Sequence, residues 1–160
     1  MAKRIKEGDI FEVKLEDNRK GYFQFLMNDS TQLDSEVIRV YQTHWGMNDK
    51  PSLEDIVEGH VHFHAHVVIK LGLRMNIWTK VDNMPVVNPS IPKFRDSEDY
   101  GNPDVVVSSN WFVWEVGGEF ETVGRLQGEC QRYDIGVVIA PPHIVTKMNS
   151  GEYDFVYPLF

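Results

Sequence analysis

Hydrophobic and polar positions in this chain alternate in short runs separated by turn-forming residues, and only brief segments carry helical spacing. Asp9 to Leu15 (DIFEVKL) alternates apolar and charged side chains and predicts a first strand. Glu16 to Gly21 is a polar, glycine-terminated turn, so Tyr22 to Met27 (YFQFLM) becomes the returning strand of a hairpin. Asn28 to Ser35 is a polar connector, and the β-branched residues of Glu36 to Thr43 (EVIRVYQT) favour a third strand. His44 to Lys50 has loop composition. Ser52, with Asp55 three residues on, predicts the capped start of a short helix that Gly59 closes.

The segment His60 to Lys70 (HVHFHAHVVIK) then places four of the chain's six histidines at alternate positions. Strand side chains switch faces at every residue, so His60, His62, His64 and His66 share one face while Val61, Phe63, Ala65 and Val67 share the other. Leu71-Gly72-Leu73 breaks this pattern and Met75 to Val81 resumes it. Pro85 to Pro103 carries four prolines and predicts an irregular cover over the sheet. Asp104 to Val116 reads as a strong strand, Gly117-Gly118 as a tight turn and Glu119 to Leu126 as the returning partner. Gly136 to Ala140 is a short buried strand. Pro141-Pro142 opens a helix that Gly151 closes, and Tyr153 to Phe160 is an apolar strand or docked tail. About eight strands and two short helices predict a mainly β or α+β fold, with a curled antiparallel sheet of barrel-like shape spanning residues 1–160 as a single domain.

Composition adds limits. The net charge is −8, from 24 acidic against 16 basic side chains, which disfavours direct binding to a phosphate backbone. Acid gathers late in the chain, and Glu115, Glu119, Glu121 and Glu129 are the candidates for contact with a basic protein partner; a solubilising surface is the plainer reading. Cys130 is the only cysteine, which excludes an intramolecular disulfide. Lys3, Arg4 and Lys6 have no apolar segment behind them and no run approaches about 18 apolar residues, so a soluble cytoplasmic protein without a membrane partner is expected. Oligomeric state is left open.

The histidine strand admits three chemistries. His62, His64 and His66 fit the histidine triad pattern of nucleotide hydrolases and transferases, with His64 as the nucleophile, but the long preceding helix and a phosphate cradle are missing. A zinc or nickel site could use one pair from His60, His62, His64 and His66, because imidazoles at i and i+2 lie about 6.5–7 Å apart at Cα. All four cannot converge, as His60 and His66 are about 20 Å apart on an extended strand. A row of solvated imidazoles needs no ion at all. Cys130 lacks a neighbouring base, and Trp111, Phe112 and Trp114 read as packing residues.

The opening Gly8-Asp9-Ile10-Phe11-Glu12-Val13, the charged turn into Gly21-Tyr22, Trp78 ahead of the Pro85 turn and the late Trp114 strand together resemble the immunity protein 26 family. These are small cytoplasmic antidotes of bacterial polymorphic toxin systems. The resemblance implies a non-enzymatic protein without cofactor that binds a cognate toxin and blocks its active site, and it carries over no catalytic residues.

Overall fold

A computed structural model describes residues 4–86 and 89–160. In chain order its strands are β1 (Asp9–Leu15), β2 (Arg19–Asp29), β3 (Ser35–Tyr41), β4 (Trp45–Gly46), β5 (Val61–Val67), β6 (Trp78–Asn83), β7 (Lys93–Ser97), β8 (Trp111–Glu115), β9 (Glu121–Gly124), β10 (Asp134–Ile135) and β11 (Val138–Ile139). Three α-helices join them, α1 (Leu53–Val57), α2 (Ile69–Arg74) and α3 (Pro141–Ser150), with a 3-10 turn at Gly128–Arg132. The first sheet has the order β11-β5-β3-β2-β1-β6 with β4 on β2, and the second the order β10-β7-β8-β9.

The mainly β fold is as the patterning predicts, but the sheets are open rather than barrel-like. In the first, β6 and β11 are the two ends and do not pair with each other. β11 is only two residues long and runs parallel to β5, and Pro141 and Pro142 follow with no backbone N–H to extend a ladder. Two pairings, β11 with β5 and β10 with β7, are parallel and the rest antiparallel.

The two faces of the first sheet bury different things. Phe11, Val13, Phe23, Phe25, Ile38, Val40, Phe63, Ala65 and Val67 form the main core beneath Ile144 and Met148 of α3 and Ile69 of α2. On the other face Ile10, Tyr22 and Tyr41 pack on Ile56 of α1, while Val37 meets Phe94, Trp114 and Val116 of the second sheet. The second sheet turns its remaining face, with Trp111 and Val113, toward Leu126, Cys130 and Tyr157 of the tail.

Several local signals hold. β1 spans the predicted residues, Ser52 Oγ accepts the Asp55 N–H at 3.1 Å at the start of α1, and α3 runs from the proline pair to a left-handed Gly151. Other elements depart from expectation. Leu71-Gly72-Leu73 lies within α2, a third helix, because the Trp78 ring seats on Gly72, where a Cβ would come within 2.1 Å of it. The Trp78 indole N–H donates to the Ile69 carbonyl at 3.0 Å, pinning that helix to β6. The proline-rich stretch contains β7, with Val87 and Asn88 outside the described residues. The long strand predicted from Asp104 shortens to β8, since Ser108 and Asn110 turn the chain by bonding Asp99. Tyr153 to Phe160 forms a docked tail joined to Val107 by a single parallel bridge at Leu159. The basic lead is described from Arg4 onward.

Candidate functional site

The histidine strand does not present one uniform imidazole face to water. His60 precedes β5 and is exposed, His62 and His64 are half-buried, and His66 is sealed between the two sheets. His66 tilts against Phe94 with ring centroids 4.2 Å apart, and its Nε2 lies 2.8 Å from Asp29 Oδ2. Burial holds its pKa below the ordinary histidine value, against the hydrogen bond and charge of Asp29. The neutral ring therefore donates from Nε2, while Nδ1 stays buried without a partner.

Asp29, at the end of β2, is the centre of this joint. Its Oδ1 accepts from the Thr31 N–H at 3.0 Å, the Thr31 hydroxyl at 2.5 Å and the Gly117 N–H at 3.1 Å. Oδ2 accepts from His66 and, at 3.1 Å, from the Trp114 indole N–H. Burial alone would raise this carboxyl, but the bonds from Thr31, His66, Trp114 and Gly117 outweigh it and bring the pKa down to about 2. One buried anion thus ties β2 and β5 of the first sheet to β8 and the turn after it.

Three of the predicted acidic residues flank or lie in that turn, Glu115 at the end of β8, Glu119 in the turn and Glu121 at the start of β9. Glu115, Glu119 and Glu121 rim a depression of about 290 Å³ whose floor includes Val113 and Trp114 and whose other side is Lys93 and Tyr133. Glu129 joins the same surface through the Tyr133 hydroxyl, which donates to Glu129 Oε1 at 3.3 Å. All four glutamates are exposed, and among the described residues none lies within ion-pairing distance of a basic side chain. Even Lys93, opposite Glu115 in the β7–β8 register, instead leans over the Tyr133 ring at 5.8 Å. Phe120, 51% exposed, follows Glu119 in the chain and packs edge-on against Trp114 at 4.9 Å, outside the lining of the depression.

The position of this rim follows from the joint beneath it. Trp114 bonds Asp29 through its indole N–H and also borders the depression, and Gly117 hands its N–H to the same carboxylate. Gly136 receives the Trp114 ring so closely that a Cβ there would lie 2.2 Å from it. Sequence patterning singles out the four glutamates but not Asp29, Lys93, Phe120 or Tyr133. Asp29 sits in a polar run that reads as connector, and only the need of a buried histidine for an acceptor would have pointed to it.

The remaining histidines are dispersed in their bonding. His64 Nε2 accepts from Arg39 Nε at 3.2 Å, and the His64 backbone N–H donates to Asp134 Oδ2 at 2.9 Å. Burial, then the charges of Lys147 and His44, hold His62 below the ordinary range against the pull of Asp134. His62 and His64 thus both lie near Asp134, with His64 Nδ1 3.8 Å from its Oδ2, whereas His66 turns to Asp29. Among the described residues no group of three or more histidine, cysteine, aspartate or glutamate side chains is arranged to hold a metal ion. Cys130 is a free, half-buried thiol. Among the described residues no helix is long and apolar enough to cross a membrane.

Comparison with known proteins yields one family. No curated protein and no solved structure matches the chain. The model of a family described as immunity protein 26 matches residues 6–103. That span holds Asp29, His66 and Phe94 of the buried joint, whereas Trp114, Gly117 and the four glutamates lie beyond it. With well over half of its length matched, the chain belongs to the immunity protein 26 family.

Proposed function

We propose that this protein binds and neutralises a cognate bacterial toxin in the cytoplasm by occluding it, without catalysis and without a cofactor, and that the acidic depression on the second sheet is its contact surface. Family membership supports the immunity role, and the observation that carries the choice of surface is the cluster of exposed glutamates that have no basic partner among the described residues, with the half-exposed Phe120 next in the chain to two of them. Unpaired carboxylates beside an aromatic anchor complement a basic protein surface, steering encounter through charge and holding the complex through apolar burial. A nuclease domain, which must be basic to hold its own substrate, is the kind of toxin this surface fits.

The histidine strand supports the surface from within on this reading. His66 Nε2 bonds Asp29, and Asp29 bonds Trp114 and Gly117 across to the second sheet, which gives the pair a role in holding the scaffold. The competing readings of the strand have separate signatures: a phosphoesterase would lose turnover in His64→Ala, and a metalloprotein would carry stoichiometric zinc or nickel by elemental analysis.

The test is binding to the product of the reading frame beside this gene, measured with wild type and with Glu119→Lys/Glu121→Lys. Affinity should fall at least tenfold in the variant, and protection of cells expressing that product should fall with it. Unchanged affinity would remove the acidic surface from the account, and a neighbouring product that is neither toxic nor bound would remove the immunity role.

A further inference from the structure

A second cavity, of about 470 Å³, opens between β7, α3 and the C-terminal tail and shares no lining residue with the acidic depression. Its volume lies in the range of roughly 300–1,000 Å³ that small-molecule sites occupy. Tyr153, Phe155, Tyr157 and Phe160 contribute aromatic rings to its wall, and Arg95 and Lys147 contribute two cations.

Those cations are unusual in a chain of net charge −8, where carboxylates outnumber them. Among the described residues neither has a carboxylate at ion-pairing distance. Arg95 donates from Nε to the Tyr133 carbonyl at 2.9 Å, and its Nη1 is buried with no partner. Its guanidinium carbon lies 5.1 Å from the ring centroids of Trp111 and Phe160. Lys147 Nζ lies 4.4 Å from the Tyr153 ring centroid, and the Tyr153 hydroxyl is a further buried group without a partner. Burial, and after it the charge of Arg95, push the Lys147 ammonium below its ordinary range, while Asp134 and Glu152 act the other way. Asp134 Oδ2 accepts the His64 backbone N–H, and Glu152 lies at the cavity wall without pairing to either cation. Asp134 and Asp96 act on the Arg95 charge, and Asp134 and Glu152 on Lys147, without pairing to either, so both half-buried cations keep donors facing the aromatic space that an anion would engage.

We propose that this cavity binds a small organic anion with one carboxylate or phosphate head on a flat apolar body. The head sits between Arg95 and Lys147, where the planar guanidinium offers paired donors and the ammonium a point charge. The body stacks on the aromatic rings of the tail. Most of the wall belongs to Lys147 and to residues after Gly151, so the site lies largely outside the span that the family match covers. It also stands independently of toxin binding.

Calorimetric titration of the full-length protein with 2-naphthoate, 2-naphthyl phosphate and the neutral 2-naphthamide tests this. At least one anion should bind one to one with a Kd of about 1 mM or tighter, and the amide at least tenfold more weakly. The preferred head distinguishes a carboxylate from a phosphate source. Lys147→Gln and Arg95→Gln should each weaken the anion at least fivefold. Because Arg95 packs on three rings and its loss could unfold the chain, amide chemical shifts of the wild type supply a second reading: residues 151–160 should move on anion addition and Glu119 to Glu121 should not. Absence of binding by both anions, equal binding of the amide, unchanged affinity in a folded Lys147→Gln, or shifts confined to other regions would each overturn the proposal.

Discussion

Two groups of carboxylates less than one strand apart in the fold live under opposite conditions. Asp29 is fully buried and accepts five hydrogen bonds; Glu115, Glu119 and Glu121 are exposed around a shallow depression and have no basic partner among the described residues. The same functional group is architectural where every lone pair is engaged and available where none is. Trp114 joins the two, bonding the buried anion with its indole N–H and bordering the depression.

The sharpest way to break the comparison is to remove the buried member. Asp29→Ala strands the donors of Thr31, His66, Trp114 and Gly117 inside the protein, and should cost about 3 kcal/mol or more in urea unfolding, since each buried donor left without an acceptor costs about 1–3 kcal/mol. A loss under about 1 kcal/mol would mean that the joint does not hold the sheets together. Gly136→Ala attacks the same joint from the other side. Its methyl group would collide with the Trp114 ring, and overpacking of this kind costs about 1–3 kcal/mol. Near-UV circular dichroism of the indole should change with it.

How much of this joint was legible in the sequence is uneven. Strand alternation separates the two faces of β5 correctly, because a period of two is a backbone property that tertiary structure does not alter. Which face is covered was not legible: it depends on Phe94 and Trp114, which lie about 30 and 50 residues further on and arrive by sheet packing. β7 reads KFRDS and has one apolar side chain, so its strand state comes from pairing with β8 rather than from its own pattern. The acidic rim was legible as composition, and its arrangement was not, since Glu115 and Glu121 meet only through the β8–β9 pairing. Caps fared best, Ser52 and Gly151 above all, because they are satisfied by residues within one turn.

Acid should sharpen the contrast in two steps. His66 is held neutral by burial, whereas its unfolded imidazole takes up a proton below about pH 6.5, so stability should fall as pH drops through that value, by up to about 1.4 kcal/mol per pH unit for this group. His62 and His44, also held below their ordinary range first by burial, add with the same sign. Asp29 works lower on the scale. Its folded pKa of about 2 lies below the ordinary 3.8, so its contribution is present above about pH 4 and is lost as pH falls toward 2. Denaturant midpoints from pH 7 to 5 should therefore decline in wild type and decline less steeply in His66→Gln. A flat wild-type profile would contradict the sealed, neutral imidazole.

The smallest stability effect belongs to the exposed group. Glu119→Gln/Glu121→Gln should change unfolding free energy by no more than about 0.5 kcal/mol, because neither side chain pairs with a basic residue among the described residues. A substantially larger loss would show that these glutamates serve the fold.

The most direct measurement of the central claim is the salt dependence of binding to the neighbouring gene's product, compared between wild type and that neutralised pair. Wild-type affinity should fall steadily as salt rises from about 50 to 500 mM, and the variant should bind more weakly with a shallower slope, its fold intact. Equal slopes with equal affinities would contradict it, and would move the toxin-binding surface away from the second sheet.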